Sequence, residues 1–278
     1  MRRFLQNFRE VMKLSIIIVN YNTKDITLDC LISIDRFPVD GKFEVIVVDN
    51  ASTDNSIDSF EKLRVKNYKL KVIKNDYNSG FSKANNIGIK SASGEYIFLL
   101  NSDTRVLKNS INELMDFAQT HKNVGIVAPK LLNGDNTAQP SVFKLPTLAR
   151  TIRQYWLGEA KLTDKYVPQD SSPVSIEAAV GAALLFTPAG RKKAGLLDER
   201  YFMYFEDFDY CRKARAKGLK IYYLPSAKII HIHGASGVSS LAQRDRLIAS
   251  SKIYHGVLGY YLLTLIIKIG SKLGLVTK

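Results

Sequence analysis

The chain has 278 residues, of which 46% are hydrophobic and 24% are charged, a globular composition that can bury a sizeable core as one domain plus an appendage. Its only cysteines, Cys30 and Cys211, are too few for a disulfide framework or a cysteine-rich metal site, which favours a reducing compartment. The net charge of +14 leaves nucleic acid, anionic lipid or a polyanionic small molecule open as partners.

Four short apolar segments predict β-strands, because each is rich in β-branched or aromatic residues and is bounded by polar turn residues. They are residues 14–20, 43–49, 69–74 and 95–101. Segments with helical spacing lie between them, at residues 25–36, 53–64 and 81–92. This alternation predicts an α/β fold with a doubly wound, mostly parallel sheet that is covered by helices on both faces.

Three of these strand segments end in a polar residue, namely Asn20, Asp49 and Asn101. Ligands of doubly wound sheets bind beyond the carboxyl ends of the strands, so these tips are expected to line one crevice. A carboxylate at Asp49 can accept the imide hydrogen of a uracil or thymine base, and its alternative role is a helix cap or turn. We favour base recognition for Asp49 and capping for Asp54.

The segment at residues 76–88, DYNSGFSKANNIG, joins a turn to a predicted helix. Gly80 permits a tight backbone, and the N-terminus of the following helix attracts phosphate. Lys83 adds positive charge to the same place. Asn-Ser-Gly is also a common turn sequence, which is the alternative interpretation.

The sequence LLNSDT places Asp103 just past the end of the fourth strand. Hard cations such as Mn²⁺ and Mg²⁺ bind carboxylate oxygens together with phosphate oxygens. One carboxylate at a strand tip, completed by a diphosphate, would meet that need. A turn aspartate with no ligand is the alternative.

The second half of the chain is less regular. Residues 131–175 contain four prolines and predict an inserted, partly mobile segment. The remaining predicted elements are a strand at 176–187, a helix at 188–194, a loop with Asp198 and Glu199, a helix from Asp207, and two short strands at 219–223 and 227–232.

The segment YFEDFDYCRKARAKG at residues 204–218 places Glu206, Asp207 and Asp209 at a predicted helix start. The helix dipole stabilises carboxylates there, and simple capping is the alternative role. Placing several carboxylates close together beside an apolar aromatic stretch costs free energy unless a basic group or a metal ion interacts with them. A carboxylate in that position can remove a proton from a hydroxyl group.

Two histidines alternate in IIHIHGAS, residues 229–236. Successive side chains of a strand point to opposite faces, so only one of His231 and His233 is expected to enter the crevice. A lone histidine is usually structural, but beside Asp103 it becomes a plausible metal ligand.

Residues 242–275 predict an amphipathic helix, with Leu258, Leu262, Leu265 and Ile269 at helical spacing. The apolar run at residues 257–267 is too short to span a bilayer, and residues 1–13 lack an apolar run of signal-peptide length. We expect this tail to lie in the headgroup region of an anionic membrane, with a helix packed on the core or a homodimer contact as alternatives.

These motifs, in this order, resemble glycosyltransferase family 2 and its rhamnosyltransferase-like and galactofuranosyltransferase-like branch in bacterial cell-surface polysaccharide synthesis. The resemblance extends from about Ser15 to Ser236. It rests on the segments Asn101-Ser102-Asp103, Gly181-Ala182, Asp198-Glu199, Phe205-Glu206-Asp207-Phe208-Asp209 and His231 before Gly234-Ala235-Ser236. It implies the GT-A fold, with residues 14–240 as the catalytic domain and 241–278 as a helical tail.

The resemblance also implies a role for each matching residue. Asp207 would be the catalytic base, and Asp103 and His231 would hold a divalent cation, Mn²⁺ or Mg²⁺. Residues that would position the acceptor or sugar are Glu206, Asp209, Gly181, Ala182 and Asp198. Residues that would bind the nucleotide sugar are Tyr21, Asp49, Gly80, Lys83, Asn85 and Asn101. Asn101 departs from the Asp-x-Asp form of the family and removes one negative charge from the metal site.

The implied reaction is a single displacement with inversion at the sugar carbon. The donor would be a UDP- or dTDP-linked sugar, with rhamnose or a related hexose as the candidate sugar, and the acceptor a saccharide or a lipid-linked acceptor. The metal would stabilise the departing nucleoside diphosphate. The expected location is the cytoplasmic face of a membrane.

Three other functions remain open at this stage. A basic nucleic-acid-binding protein would explain the charge but not the polar strand tips or Asp207, and no nucleic-acid-binding signature is visible. A nucleotidyltransferase should have a glycine-rich loop after its first strand, where this chain has NYNTKD. A catalytically silent relative is disfavoured by the intact Asp103, Asp207 and His231.

Overall fold

The computed structural model describes residues 12–159, 162–232 and 240–272. Its strands are β1 (Leu14–Asn20), β2 (Phe43–Asp49), β3 (Lys69–Lys74), β4 (Tyr96–Leu100), β5 (Thr104–Val106), β6 (Val124–Leu132), β7 (Val142–Phe143), β8 (Val174–Ile176), β9 (Ala178–Ala179), β10 (Ala183–Phe186) and β11 (Lys220–His231). Its helices are α1 (Lys24–Arg36), α2 (Ser56–Lys62), α3 (Phe81–Ser91), α4 (Ser110–Thr120), α5 (Leu148–Trp156), α6 (Pro188–Ala194), α7 (Glu206–Ala216), α8 (Ser240–His255) and α9 (Val257–Lys272).

A mixed sheet forms the centre of the molecule, in the order β3-β2-β1-β4-β10-β6-β11-β5, with β8 paired to β11. The first four strands in this order are parallel, as predicted, whereas β10 runs antiparallel to both of its neighbours. In the register of β1 and β2, Asn20 lies beside Asp49. The two predicted polar tips therefore meet at the carboxyl edge of the sheet.

The core has two layers, one on each face of the sheet. Ile16 and Ile18 of β1 pack in the layer that contains residues of α1 and α4, whereas Ile17 packs in the layer of α3 and α7. Alternate residues of a strand point to opposite faces, and burial of both faces explains why these strands are continuously apolar. The predicted doubly wound α/β fold is confirmed.

Two strand predictions were wrong. Residues 176–187 do not form one strand, because the chain turns between β9, which pairs with β7 in a separate small sheet, and β10 in the central sheet. Residues 219–232 form the single strand β11, whose register against β6 shifts between Leu224 and Lys228. Pro225 lies in that shift, where a residue without an N–H does not interrupt the ladder.

The inserted segment contains more regular structure than its sequence indicates. Helix α5 lies within it and begins where the Thr147 hydroxyl accepts from the N–H of Arg150 at 3.2 Å. The Arg150 guanidinium pairs with Glu177 at 2.6 Å, which fixes α5 to the residues between β8 and β9. Strands β5 and β6 and helix α4, in residues 104–132, were not predicted.

The predicted tail helix consists of two helices, α8 and α9, which meet at Gly256 with φ +73° and an angle of 115°. Ser250 of α8 donates to the carbonyl of Met203 at 2.7 Å, so the tail packs on the preceding residues. Among the described helices, none alone has the length and apolarity to cross a membrane, and only the bent pair meets both criteria together. The division at residue 240 stays a prediction.

Candidate active site

The first part of the crevice is a hydrogen-bonded wall at the tips of β1 and β2. The Asn20 amide donates to Asp49 Oδ1 at 2.7 Å and to the Ser52 hydroxyl at 3.0 Å. The N–H of Ser52 donates to Asp49 Oδ2 at 3.0 Å. Asp49 is fully buried, and both of its carboxylate oxygens have partners within the protein. This network fixes the shape of the wall, and base recognition by Asp49 stays a prediction.

Two residues near this wall differ in exposure. Tyr21 follows Asn20 and is 42% exposed, so its ring is accessible at the mouth of the crevice. Asp54 accepts from the N–H of Ser56, the first residue of α2, at 3.1 Å, and from the N–H of Lys24 at 2.9 Å. The N-cap of α2 is Asn55, which makes no side-chain cap bond, so Asp54 is not the cap that the sequence suggested. Its carboxylate instead holds the turn before α2 and the start of α1 together.

Gly80 is needed for a close backbone approach. Its φ is +83°, and a Cβ atom here would lie 2.6 Å from the carbonyl oxygen of Phe202. That carbonyl accepts from the N–H of Phe81 at 2.6 Å. The first N–H of α3 therefore bonds to the chain before α7, and this donor is not directed at a phosphate as the sequence suggested.

The next turns of α3 place three polar side chains differently. Lys83 is partly exposed and donates to the hydroxyl of Tyr77 at 2.8 Å, which raises the pKa of Lys83. Asn85 is buried and bonds to the carbonyl of Phe81 within its own helix at 2.9 Å. Asn86, which sequence analysis missed, exchanges two hydrogen bonds with the backbone of Leu197 at 2.9 and 3.0 Å. Only Lys83 of these three remains accessible to a ligand.

The centre of the site is a junction of three chain segments. The N–H of Asn101 donates to the carbonyl of Ala182 at 2.8 Å. The N–H of Gly181 donates to Asp207 Oδ2 at 2.9 Å, and Asp207 Oδ1 accepts from the N–H of Phe208 at 2.8 Å. The sequence predicted all of these segments as parts of one site, and the turn between β9 and β10 brings them together.

Burial dominates the electrostatics of the two acids at the start of α7. It raises the pKa of Asp207, against the opposing effects of the two N–H donors and the charge of Lys165. Burial, followed by the charge of Asp207, raises the pKa of Glu206 well above its usual range. Glu206 Oε2 is buried without a hydrogen-bond partner. Because the two acids are adjacent and buried, ionising both is costly, and one of them tends to keep its proton. The N–H donors stabilise a negative charge on Asp207, so the proton is expected on Glu206.

Asp103 and His231 meet on the opposite side of the junction. His231 Nε2 lies 3.3 Å from Asp103 Oδ1. The pairing of β5 with β11 sets this contact, since Thr104 lies opposite His231 and the N–H of Ile232 donates to the carbonyl of Asp103 at 2.8 Å. The predicted proximity of Asp103 and His231 is therefore observed. His233 and residues 234–236 lie outside the described residues.

Gln139 orients the His231 ring and was missed by sequence analysis. Its Nε2 donates to the carbonyl of His231 at 3.1 Å and to Asn133 Oδ1 at 2.9 Å, so its Oε1 faces His231 Nδ1 at 2.7 Å. An amide oxygen only accepts, so Nδ1 carries a proton, and the ring is oriented with Nε2 toward Asp103. No motif marks Gln139, because it lies in the insertion and reaches β11 only through the fold.

The oxygens around this pair suit a divalent cation. Asp103 Oδ1 and Asn101 Oδ1 are both buried without a hydrogen-bond donor. Within the ranges that the structure covers, no three His, Cys, Asp or Glu side chains are grouped as a complete metal site. A cation here would take Asp103 and His231 as ligands, with the Asn101 oxygen as a candidate third, and complete its shell with phosphate oxygens and water.

Asp198 and Asp209 are not directed at Asp207. Asp209 pairs with Arg212 and with Lys213, each at 2.7 Å. Asp198 pairs with Arg200 at 2.6 Å, which lowers its pKa to about 2, and lies 3.8 Å from Lys213. Lys213 thus joins both carboxylates, and a direct contact with an acceptor sugar would have to compete with these ion pairs.

Comparison with known proteins places this geometry in a family. The model of glycosyl transferase family 2 matches residues 15–167. Over 254 residues the chain is 27% identical to the low-salt glycan biosynthesis hexosyltransferase Agl10 of Haloferax volcanii, covering 87% of this chain and 76% of Agl10. It is 27% identical over 205 residues to the N-acetylglucosaminyl-diphospho-decaprenol L-rhamnosyltransferase of Mycobacterium tuberculosis, covering 67% of this chain and 66% of that enzyme.

Other relatives match a smaller part of their own length. The chain is 35% identical over 138 residues to the poly(ribitol-phosphate) β-N-acetylglucosaminyltransferase TarS of Staphylococcus aureus, covering 48% of this chain and 24% of TarS.

Solved structures share the fold. GalNAc-T7 with UDP, GalNAc and Mn²⁺ superposes with a TM-score of 0.65 at 17% identity, covering 87% of this chain and 47% of that one. TarS residues 1–349 with UDP-GlcNAc superpose with a TM-score of 0.60 at 22% identity, covering 88% of this chain and 66% of that one. The chain belongs to glycosyl transferase family 2 and has the GT-A fold.

Proposed function

We propose that this chain transfers a sugar from a nucleoside-diphosphate sugar to a saccharide or lipid-linked acceptor in cell-surface glycan synthesis, with inversion at the sugar carbon. The observation that supports this most is the position of Asp207. Two backbone N–H groups hold its carboxylate at the junction between the strand tips and the turn at Gly181. Asp103 and His231 lie next to each other at the tip of β4 and the end of β11.

The donor would bind along the strand tips. Tyr21 offers an exposed ring to the base beside the wall that Asp49 supports, and Lys83 supplies positive charge for the diphosphate. The donor would be a UDP- or dTDP-linked sugar. Support comes from the relatives, since TarS has been solved with UDP-GlcNAc and the mycobacterial relative is named a rhamnosyltransferase.

A divalent cation, Mn²⁺ or Mg²⁺, would supply positive charge to the leaving diphosphate. Asp103 and His231 would hold it, with Asn101 contributing an uncharged oxygen. Gln139 accepts from Nδ1 of His231 and so orients its ring with Nε2 toward Asp103. A cation between Nε2 and Asp103 Oδ1 would give that buried oxygen a partner.

Asp207 would act as the general base. Its carboxylate takes the proton from the acceptor hydroxyl while the acceptor oxygen forms a bond to the anomeric carbon. The bond from that carbon to the diphosphate oxygen breaks at the same time, and its electron pair leaves with the nucleoside diphosphate. Because attack is opposite to the leaving group, the configuration inverts. The protonated neighbour Glu206 would donate a hydrogen bond to acceptor or sugar.

A donor panel tests this proposal. UDP- and dTDP-linked hexoses and deoxyhexoses would be incubated with saccharide and lipid-linked acceptors, and released nucleoside diphosphate and the anomeric configuration of the product would be measured. We expect one donor class to give an inverted product. Retention of configuration, or nucleic-acid binding with steep salt dependence and no donor binding, would contradict the proposal. A lipid-linked acceptor would place the reaction at the cytoplasmic face of a membrane.

A further inference from the structure

Two helices far apart in sequence form one exposed apolar surface, here named the α5–α9 surface. Its members are Ile152, Trp156 and Leu157 at α5, and Leu258, Tyr261, Leu262 and Leu265 on α9. The residues of α9 recur at intervals of three and four, so they lie on one face of the helix. They are 43–75% exposed, although exposed apolar side chains on soluble proteins are usually scattered singly.

The two helices pack directly on each other. The indole N–H of Trp156 donates to the carbonyl of Ile266 at 2.9 Å, so the ring lies against the backbone of α9. Near the end of α9, the backbone of Gly270 meets the backbone of Tyr155 so closely that a Cβ would lie 2.2 Å from the Tyr155 carbonyl oxygen. The insertion and the tail therefore form one unit that sequence analysis treated as two.

The charge around this surface is mainly positive. The sequence contains no Asp or Glu from residue 246 to residue 278, nor from residue 136 to residue 158. Arg150 and Arg153 of α5 are paired with glutamates. Lys268 and Lys272 of α9 are exposed, and the Lys252 ammonium of α8 lies 5.4 and 5.5 Å from the ring centres of two α9 tyrosines.

An apolar surface that is flanked by exposed lysines, and whose neighbouring glutamates are paired with Arg150 and Arg153, complements an anionic bilayer. A second copy of the chain would bring like charges together, whereas anionic headgroups would be attracted by about 1 kcal/mol for each lysine near the surface. Trp and Tyr are enriched at the bilayer interface, where an apolar ring and a polar N–H or O–H are both accommodated. The exposed indole of Trp156 and ring of Tyr261 match that environment.

We propose that the α5–α9 surface binds the headgroup region of an anionic membrane, with Trp156 of the insertion entering the interface together with α9. The attachment is peripheral and uses both the insertion and the tail. It goes beyond the proposed sugar transfer and does not depend on it, because membrane binding is measured without donor or acceptor.

Trp156 is the only tryptophan in the chain, so its fluorescence reports this contact directly. The full chain would be mixed with vesicles of phosphatidylcholine alone or with added phosphatidylglycerol. We expect a blue shift with the anionic vesicles only, and quenching when the lipid chains are brominated near the headgroup. Binding by the tail without any change in Trp156 emission would overturn the two-helix surface.

Charge variants measure the electrostatic part. Lys268→Gln together with Lys272→Gln should weaken vesicle binding about fivefold for each lysine at low salt. Lys192→Gln together with Lys193→Gln on α6 removes the same charge from exposed positions elsewhere and should leave binding closer to that of the parent chain. Equal losses in the two double variants would show that only net charge matters and would contradict the proposed surface.

Substitutions of apolar residues distinguish membrane binding from self-association of the chain. Leu262→Gln and Leu265→Gln alter exposed positions, so the fold should survive, as circular dichroism would show. We expect both to lose the Trp156 shift with anionic vesicles, and the parent chain to sediment as a monomer without lipid. A dimer that both variants dissociate, with no vesicle binding by the parent, would overturn the proposal in favour of self-association.

Discussion

Gln139 and His231 hold each other through two hydrogen bonds, one from the Gln139 amide to the His231 carbonyl at 3.1 Å and one between Gln139 Oε1 and His231 Nδ1 at 2.7 Å. Because the amide oxygen only accepts, the second bond places a proton on Nδ1 and turns Nε2 toward Asp103. Gln139 is therefore a positioning residue for the proposed metal site.

Gln139→Leu should weaken Mn²⁺ binding in the presence of UDP by about 10- to 100-fold, since residues that orient a metal-ligating histidine typically have that effect. Gln139→Glu keeps an acceptor for Nδ1 and should restore part of the affinity. Titration calorimetry measures both constants. Equal Mn²⁺ affinity in the parent and the leucine variant would show that Gln139 has only a structural role.

Asn101→Asp should strengthen Mn²⁺ binding by about tenfold, because added carboxylate charge increases the affinity of an oxygen site for a divalent cation. The buried Asn101 Oδ1 has no hydrogen-bond donor, so a carboxylate there would face the cation rather than disrupt an existing bond. Asn123→Asp, at an exposed position, makes the same charge change elsewhere. Unchanged affinity in both variants would place the cation away from Asn101.

Asp207→Asn should reduce kcat by about 100- to 10,000-fold while the KM for the donor changes little, since the base acts only in the transfer step. The amide oxygen can still accept from the N–H of Gly181, so the fold should persist. Steady-state kinetics on the best donor of the panel provides the test, with the exposed Asp116→Asn as control. A kcat of Asp207→Asn near that of the parent chain would show that Asp207 is not the general base.

Glu206→Gln should stabilise the protein increasingly as pH rises. Burial raises the pKa of Glu206, so above the unfolded pKa of about 4.3 the folded state holds a proton that the unfolded state has released. Parental stability then falls by up to about 1.4 kcal/mol per pH unit until the folded pKa is reached. The glutamine variant lacks this loss. Denaturant unfolding at several pH values should show that the difference in unfolding free energy between the variant and the parent chain widens as pH rises. A difference that stays constant with pH would contradict the prediction.

Gly80→Ala should lower the free energy of unfolding by about 1–3 kcal/mol, because φ +83° and ψ 171° are almost restricted to glycine. The new Cβ would also meet the Phe202 carbonyl at 2.6 Å. Gly134→Ala is the matched control, since nothing lies within 4 Å of its Cβ. Equal stability of the two variants in chemical denaturation would mean that the chain before α7 moves away without cost.

The sequence alone predicted what depends on short-range pattern. Apolar segments ending in Asn20 and Asp49 indicated parallel strands with a common crevice, because the carboxyl ends of such strands share one edge. The order of the polar motifs indicated the family. Asp103 and His231 were paired by that resemblance, and the pairing of β5 with β11 places them 3.3 Å apart.

The tertiary structure decided what depends on partners distant in sequence. The pairing of Gln139 with His231, the ion pairs of Asp198 and Asp209 with Lys213, and the contact of Trp156 with α9 each join residues that no local pattern connects. A hydrogen bond forms when the fold brings its two groups within about 3 Å, and an ion pair when it brings them within about 4 Å. Local sequence sets which groups a segment offers, and packing of the whole chain determines which of them meet.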